Sequence, residues 1–196
     1  TEKVKKIYSN LFKKNKDSYL SLNWGSKESQ YLRFKVLSYI DKLENKSILD
    51  VGCGLGDFYL WLNKNMINTD YLGIDITETF IKSAVNKYGK DLFVCDNFLL
   101  DDVFKNKTFD YVFASGIFAT YTKEPISIYK KYITRMWDLA NEGVGFNSLS
   151  SWTNEKDDSE YYADPNEIIN LCRKFTNKIV LKHDYHPRDF TIFLYR

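Results

Sequence analysis

The sequence predicts an α/β fold: a doubly wound, seven-stranded, mainly parallel sheet with an antiparallel C-terminal hairpin and an N-terminal helical cap. Three observations predict it. Short apolar segments alternate with helical patterns from residue 47 onward. The early apolar segments lack polar alternation, which is typical of parallel strands buried on both faces. The last two strands are joined by only residues 183–189, and this connection is too short for a parallel crossover.

The composition is that of one folded domain. The chain has 196 residues, 44% of them hydrophobic and 17% aromatic, which excludes a disordered chain. A net charge of +2 does not indicate a nucleic-acid partner. We expect a single domain over residues 1–196, with the helical cap over 1–43 and a sheet domain over 44–196.

The three cysteines, Cys53, Cys95 and Cys172, lie far apart and form no CxxC pair. This argues against a disulfide framework and against a zinc site. We therefore expect reduced thiols, no metal and a cytoplasmic protein. No apolar run approaches the roughly 18 residues of a membrane span, and the lysine-rich start lacks the apolar segment of a signal peptide.

The first 43 residues are predicted to be mainly helical. Residues 1–16 place lysines around an apolar stripe, which indicates an amphipathic helix whose lysines form a solvated face or, alternatively, bind an anionic surface such as RNA. Trp24-Gly25 interrupts the pattern, and Ser26 is a candidate N-cap. A second helix should follow and run to about Leu43.

The later elements alternate along the chain. Strands are predicted over residues 47–51, 71–75, 92–95, 109–114, 144–147, 178–182 and 190–195, and helices over 57–65, 77–88, 125–141 and 165–175. Pro125 and Pro165 suit the first turn of a helix. Thr77 is a candidate N-cap, and Gly89 and Gly143 are candidate helix stops.

The strongest local signal is the glycine-rich segment from Ile48 to Gly56, which reads ILDVGCGLG. Glycines allow a tight turn and close approach to a ligand, and the following helix offers free N–H groups. Asp75 ends the next strand, where a βαβ site needs an acceptor for ribose hydroxyls. The pattern is GxGxG rather than GxGxxG, which disfavours a nicotinamide dinucleotide.

This segment, Gly73-Ile-Asp75, Cys95-Asp96 and the segment from Asp110 to Gly116 together resemble the consecutive motifs of class I S-adenosylmethionine (SAM)-dependent methyltransferases. Their order and spacing match over most of the chain, and the antiparallel last strand matches as well. The resemblance implies a sheet of that family's type and SAM as the cofactor.

The resemblance also implies roles for single residues. Gly52-Cys53-Gly54, with Asp50 before it, would line the methionine portion of SAM. Asp75, followed by Ile76, would accept both ribose hydroxyls. Alternatively, Asp75 is only a turn residue with no role in binding.

Two later segments complete the implied cofactor site. Asp96 would accept the adenine amino group, with Asn97 and Phe98 beside it. Ser115 and Gly116 would lie under the sulfonium. Asp96 could instead be a helix or turn cap, because Asp is favoured at such positions.

The cap resembles a subgroup of these enzymes in which a Trp-Gly-Ser turn and a Gln/Arg helix close over the cofactor. Gln30 and Arg33 share a helix face, and Arg33 offers a fork to the methionine carboxylate. Trp24 would pack against the cofactor or the mouth of the site. Alternatively, Arg33 pairs with a surface acid.

Catalytic candidates are expected at strand ends. His183 and His186 are the only histidines, and they lie with Asp184 in the last hairpin loop. An imidazole oriented by a carboxylate is a usable base at pH 7, although both could be solvated turn residues. Tyr121 after the fourth strand and Asn147 in the fifth are further candidates.

The segment Ala114-Ser-Gly-Ile117 lacks the Asp/Asn-Pro-Pro-Tyr motif of enzymes that methylate nucleobase amines or protein glutamine. The chain also resembles small bacterial methyltransferases of surface-polysaccharide and secondary biosynthesis. This implies O-methylation of a sugar, nucleotide-activated or phosphate-derived small molecule, with no nucleic-acid partner. An RNA methyltransferase and a non-catalytic SAM-binding subunit are the alternatives.

Overall fold

The computed structural model describes residues 2–120 and 122–196. The strands are β1 (Ser47–Val51), β2 (Asp70–Asp75), β3 (Phe93–Cys95), β4 (Phe109–Ala114), β5 (Ala140–Leu149), β6 (Ile179–Lys182) and β7 (Asp189–Tyr195). They form one sheet in the order β3-β2-β1-β4-β5-β7-β6. Strands β1 to β5 pair in parallel, and β7 runs antiparallel between β5 and β6. The predicted fold class is confirmed.

Helices cover both faces of this sheet. They are α1 (Glu2–Asn15), α2 (Lys27–Leu37), α3 (Asp57–Lys64), α4 (Glu78–Tyr88), α5 (Pro125–Leu139) and α6 (Pro165–Cys172). Neighbouring residues of β1 separate the two layers: Ile48 packs with α2, α3 and α4, whereas Leu49 packs with α5 and α6. Both side chains are fully buried, as expected for a parallel strand covered on both faces.

No helix within residues 2–120 and 122–196 has the length and apolar character needed to cross a bilayer.

The N-terminal helix α1 packs against α4. The rings of Tyr8 and Phe12 lie edge-on to Phe80, with centroids 5.9 and 5.8 Å away. Just after α1, Asp17 pairs with Lys87 of α4 at 3.4 Å. These contacts bring the start of the chain to the edge of the sheet where β1 and β2 end, because α4 directly follows β2.

The second helix is shorter than predicted. Ser26 caps α2 as expected, and its hydroxyl accepts the Ser29 N–H at 3.0 Å. The helix ends at Leu37, however, and a 3₁₀ turn follows. There the Ser38 hydroxyl donates to the Lys35 carbonyl at 2.8 Å, a local bond that competes with the helical pattern. Leu43 matches the apolar stripe of the predicted helix, but it lies beyond the helix and is buried in the core.

Two predicted helix signals have other roles. Gly143 lies inside β5 rather than ending α5, which stops at Leu139. A Cβ at Gly143 would lie 2.8 Å from the Leu194 carbonyl oxygen, so close approach between strands requires the glycine there. Thr77 does precede α4, but its side chain makes no capping hydrogen bond.

Candidate functional site

The glycine turn after β1 has the backbone that the sequence indicates. Gly52 and Gly54 have φ values of +75° and +55°, in the left-handed region that favours glycine. The N–H groups of Gly52 and Cys53 donate to the Ile74 carbonyl of β2 at 2.8 and 3.1 Å. A Cβ at Gly54 would lie 2.7 Å from Leu22 Cδ2. The turn is therefore fixed against β2 and covered closely by the N-terminal segment.

Asp75, at the end of β2, joins this turn to the next helix. Its Oδ2 accepts the Gly54 N–H at 3.0 Å, and its Oδ1 accepts the Thr77 N–H at 2.7 Å. Burial raises the pKa of Asp75, while these backbone donors act in the opposite direction. The carboxylate is thus held in place with lone pairs left for further donors.

Asp50 is the acid of the glycine-rich segment, and it is buried. It lies in β1, is 3% exposed, and accepts the Tyr71 hydroxyl at 2.7 Å. Desolvation raises the pKa of Asp50 to about 7. Asp96, after β3, is exposed, and its Oδ1 accepts the Asn97 N–H at 2.6 Å. The ends of the first three strands therefore carry carboxylates in different environments.

These groups line a cavity of about 250 Å³, which we call the first cavity. All but one of the predicted cofactor-binding residues line it: Trp24, Gln30, Asp50, Gly52, Cys53, Gly54, Asp75, Ile76, Asp96, Asn97, Phe98, Ser115 and Gly116. Its described lining contains carboxylates and no Lys, Arg or His side chain. The lining is therefore negatively charged.

Sequence reasoning missed several residues of this lining, chiefly Tyr8, Leu22, Asp57, Phe80 and Tyr132. Tyr8 and Leu22 come from the N-terminal segment. Helical spacing placed Tyr8 on an apolar stripe, and no sequence signal identified Leu22. Asp57 opens α3 and accepts a hydrogen bond from the Gln30 amide at 3.1 Å. These long-range contacts have no local sequence signature.

Asn147 of β5 supports the turn after β4. Its Oδ1 accepts the Gly116 N–H, and its Nδ2 donates to the Ser115 hydroxyl, both at 2.9 Å. Gly116 has a φ of +77°, and a Cβ there would lie 2.7 Å from the Trp24 ring. Trp24 therefore packs directly on this turn.

A second cavity, also of about 250 Å³, adjoins the first. Tyr8, Leu22, Trp24 and Gly116 line both. The Arg, His, Asp and Glu residues of the second cavity are Arg33, Glu155, Glu160, His186, Arg188 and Asp189. This lining is far more polar than that of the first cavity, and the shared residues form the wall between the two.

Arg33 lies in the second cavity and not in the first. Its guanidinium stacks over Trp24 at 4.7 Å, donates to the Ser29 carbonyl at 2.8 Å, and pairs with Asp189. Gln30 lies on the same face of α2, but one turn earlier, and reaches the first cavity. The partner of Arg33 is thus a buried acid rather than a surface acid.

The two histidines have different surroundings. His186 lines the second cavity. Its Nδ1 accepts the Arg188 N–H at 3.1 Å and lies 2.9 Å from Asp189 Oδ2. Burial lowers the pKa of His186. His183 is not part of the described lining of either cavity; its Nε2 lies 2.6 Å from the Ser150 hydroxyl.

The carboxylate beside a histidine is Asp189, not Asp184 as predicted. The Asp184 side chain is 73% exposed and lies 3.3 Å from the Nζ of Lys182, the last residue of β6. Tyr121, the other catalytic candidate, lies outside the described residues.

Comparison with known proteins assigns the family. A family model described as a methyltransferase domain matches residues 42–187. Rv1506c of Mycobacterium tuberculosis, a protein named as a methyltransferase, is 31% identical over 156 residues, which cover 74% of this chain and 90% of that protein.

Two solved structures share the fold. Magnesium protoporphyrin IX methyltransferase of Synechocystis PCC 6803, solved with bound SAM, has a TM-score of 0.66 at 15% identity, over 98% of this chain and 96% of that one. The CcbJ methyltransferase of Streptomyces caelestis has a TM-score of 0.67 at 14% identity, over 97% of each chain. These two structures share the fold, and the family model and the mycobacterial relative show that this chain belongs to the methyltransferase domain family.

Proposed function

We propose that this chain transfers the methyl group of SAM, bound in the first cavity, to a hydroxyl of a small molecule bound in the second. The single observation that carries the proposal is the wall shared by the two cavities, to which Trp24 and Gly116 belong. Methyl transfer requires the acceptor in line with the methyl group, so two cavities that meet at one wall suit this reaction.

The charge of the first cavity supports SAM over a dinucleotide. Its described lining holds Asp50, Asp57, Asp75 and Asp96 but no cationic side chain. A sulfonium and an ammonium group are favoured by such a lining, whereas a pyrophosphate would lie among carboxylates without a cation. The residues present therefore fit SAM.

We assign each part of SAM to residues of this cavity. Asp75 would accept the ribose hydroxyls and Asp96 the adenine amino group, since carboxylates accept from such donors. The glycine turn Gly52–Gly54 would lie along the methionine portion, and Ser115 and Gly116 near the sulfonium. SAM supplies an electrophilic methyl group on a positively charged sulfur.

His186 is our candidate proton acceptor for a hydroxyl acceptor. Because burial lowers its pKa, the imidazole is neutral at pH 7 and able to take a proton. In the structure Nδ1 accepts the Arg188 N–H, so the base role requires Nδ1 to give up this bond, carry the proton and donate to Asp189, 2.9 Å away. Nε2 is then the basic nitrogen. Asp189 is then a positioning residue, which orients the ring and stabilises its charged form.

We further propose that the acceptor is a sugar, a nucleotide-activated or a phosphate-derived intermediate of surface-polysaccharide or secondary biosynthesis. The polar, ion-paired lining of the second cavity supports a hydrophilic acceptor over an apolar one. The described cysteines are free thiols, which supports a cytoplasmic enzyme.

The test has two stages. Calorimetry with S-adenosylhomocysteine (SAH), the demethylated product, should show binding to the full chain. The chain with SAM is then offered sugars, nucleotide sugars and tRNA, and SAH release is measured. Turnover with a small molecule supports the proposal. Binding of SAH without any turnover favours the non-catalytic alternative, and turnover of tRNA with an affinity that falls steeply with salt favours the RNA alternative.

A further inference from the structure

We propose that the second cavity takes an uncharged, hydroxyl-bearing part of the acceptor and excludes phosphate and carboxylate groups. This inference rests on the proposed function, because it concerns the acceptor of the same reaction. It starts from the charges of the lining, in which two arginines, Arg33 and Arg188, lie among three acids, Glu155, Glu160 and Asp189.

Both terminal nitrogens of Arg33 already have partners within the protein. It pairs with Asp189, and the two side chains are only 7% and 2% exposed. It also donates to Ser29 and stacks over Trp24. An incoming anion would have to displace a buried carboxylate from this pair, and separating a desolvated ion pair is strongly unfavourable. Arg33 is thus not an anion-binding group of this cavity.

Arg188 is also ion-paired, with Glu160, although this pair is more exposed and the Arg188 Nε has no hydrogen-bond partner among the described residues. Its guanidinium donates to Glu160 Oε2 at 2.6 Å and to the Tyr162 hydroxyl, and it lies over the Tyr162 ring at 5.6 Å. The Tyr162 hydroxyl donates to the same Glu160 oxygen at 2.8 Å. Glu160 therefore cancels the charge of Arg188 at the place where an anion would have to bind.

The remaining charges add to this exclusion. Glu155 is exposed and lines the cavity, with no ion pair to it among the described residues. Burial lowers the pKa of His186, so this residue adds no positive charge at neutral pH. Negative groups thus outnumber positive ones in the described lining, and a phosphate or carboxylate would be repelled.

The same groups suit hydroxyls. Both hydrogen bonds to Glu160 use Oε2, so Oε1 has no donor from the described part of the chain. Carboxylate oxygens accept strongly from hydroxyl groups, and the Glu155 carboxylate offers a second acceptor. If the acceptor molecule carries a phosphate, as a nucleotide-activated sugar does, the phosphate would lie outside the second cavity.

Ligand-observed NMR on the SAH-loaded chain tests this inference. The probes are the methyl glycosides of glucose, mannose and galactose and the 6-phosphates of the same glycosides. We expect at least one neutral glycoside to bind about tenfold more tightly than its phosphate, because only the phosphate meets uncompensated negative charge. Glu160→Gln frees Arg188 and should strengthen binding of the phosphate several-fold. Glu167→Gln, an exposed acid on α6, should leave both affinities unchanged.

Two results would overturn the inference: a phosphate that binds as tightly as its neutral partner, or no binding of any neutral glycoside. Calorimetry with SAH, done first, separates this failure from failure of the proposed function. If SAH does not bind, both proposals fall. If SAH binds and only the phosphorylated probes bind to the SAH-loaded chain, the transferase proposal stands and the inference about the acceptor is wrong.

Discussion

The side chain of Asn147 holds the backbone of Gly116: its Oδ1 accepts the Gly116 N–H at 2.9 Å. The bond links β5 to the turn after β4, and the ring of Trp24 packs on that turn. A side chain that is 2% exposed thus sets the position of the wall between the two cavities.

Replacing this amide should loosen the wall. In Asn147→Ala the Gly116 N–H and the Ser115 hydroxyl both lose their partner, and we expect affinity for SAH to fall by about 1–2 kcal/mol. Calorimetry measures the change. Asn166→Ala, at an exposed position of α6, is the matched control. Wild-type affinity in Asn147→Ala would show that the turn holds its position without the amide.

Asp75 is expected to contribute strongly to cofactor affinity. Asp75→Ala removes the acceptor for the Gly54 and Thr77 N–H groups as well as the proposed acceptor for the ribose, so binding of SAH should weaken by about 1–3 kcal/mol. Asp91→Ala, at an exposed position outside the cavity, controls for charge. Binding of NAD but not of SAM or SAH to the wild type would refute the cofactor site.

The sequence predicted the sheet well because its signals are local and repeated. Apolar runs, glycine turns and prolines mark each strand and helix, and the short final connection required an antiparallel hairpin, which β6 and β7 form. Helix ends were less predictable. Gly143 matched a helix stop, but its role depends on the approach of Leu194, a strand distant in sequence.

In the site, too, features that follow from the order of the strands were predictable, and contacts between distant segments were not. The glycine turn, Asp75 and Asp96 line one cavity because parallel strands end at one edge of a sheet, and this could be inferred from order alone. The partner of Arg33 could not. Its pairing with Asp189 depends on how α2 lies over the last strand, and the nearest acid in the hairpin sequence, Asp184, faces Lys182 instead.

Removing the N-terminal segment should weaken cofactor binding without unfolding the sheet. Deletion of residues 1–25 removes Tyr8, Leu22 and Trp24 from the first cavity, whereas the strands lie outside the deleted part. We expect native-like circular dichroism and a fall in SAH affinity of at least about tenfold, since apolar contacts stabilise bound ligands. An unchanged dissociation constant would contradict a cap that closes over the cofactor.

The histidines offer a matched pair for testing base catalysis. With an acceptor identified, His186→Ala should lower kcat by about 10²-fold or more, because His186 lines the second cavity. His183→Ala should be near normal, since His183 is not part of either described cavity lining. SAH affinity, measured alongside, should stay constant in both. Normal turnover in His186→Ala would leave positioning of the acceptor as the source of rate.

Asp50 should make the ligand-free protein less stable as pH rises. Burial raises its pKa to about 7, whereas the unfolded chain has the ordinary value of about 3.9. Between these values the folded state binds a proton that the unfolded state releases, so this contribution to the free energy of unfolding falls with increasing pH. Above pH 7 the loss is complete and constant.

Asp50→Asn removes the ionisable group, and its amide oxygen is still able to accept the Tyr71 hydroxyl. We therefore expect the variant to exceed the wild type in stability by at least about 1 kcal/mol at pH 8, a rise in Tm of roughly 2–4 °C. The advantage should shrink towards pH 5, where the wild-type carboxyl is protonated in the folded state. Asp70→Asn, at an exposed position of β2, should show no such trend. Thermal unfolding without ligand measures both, and an advantage that does not change between pH 5 and 8 would refute the role of Asp50 ionisation.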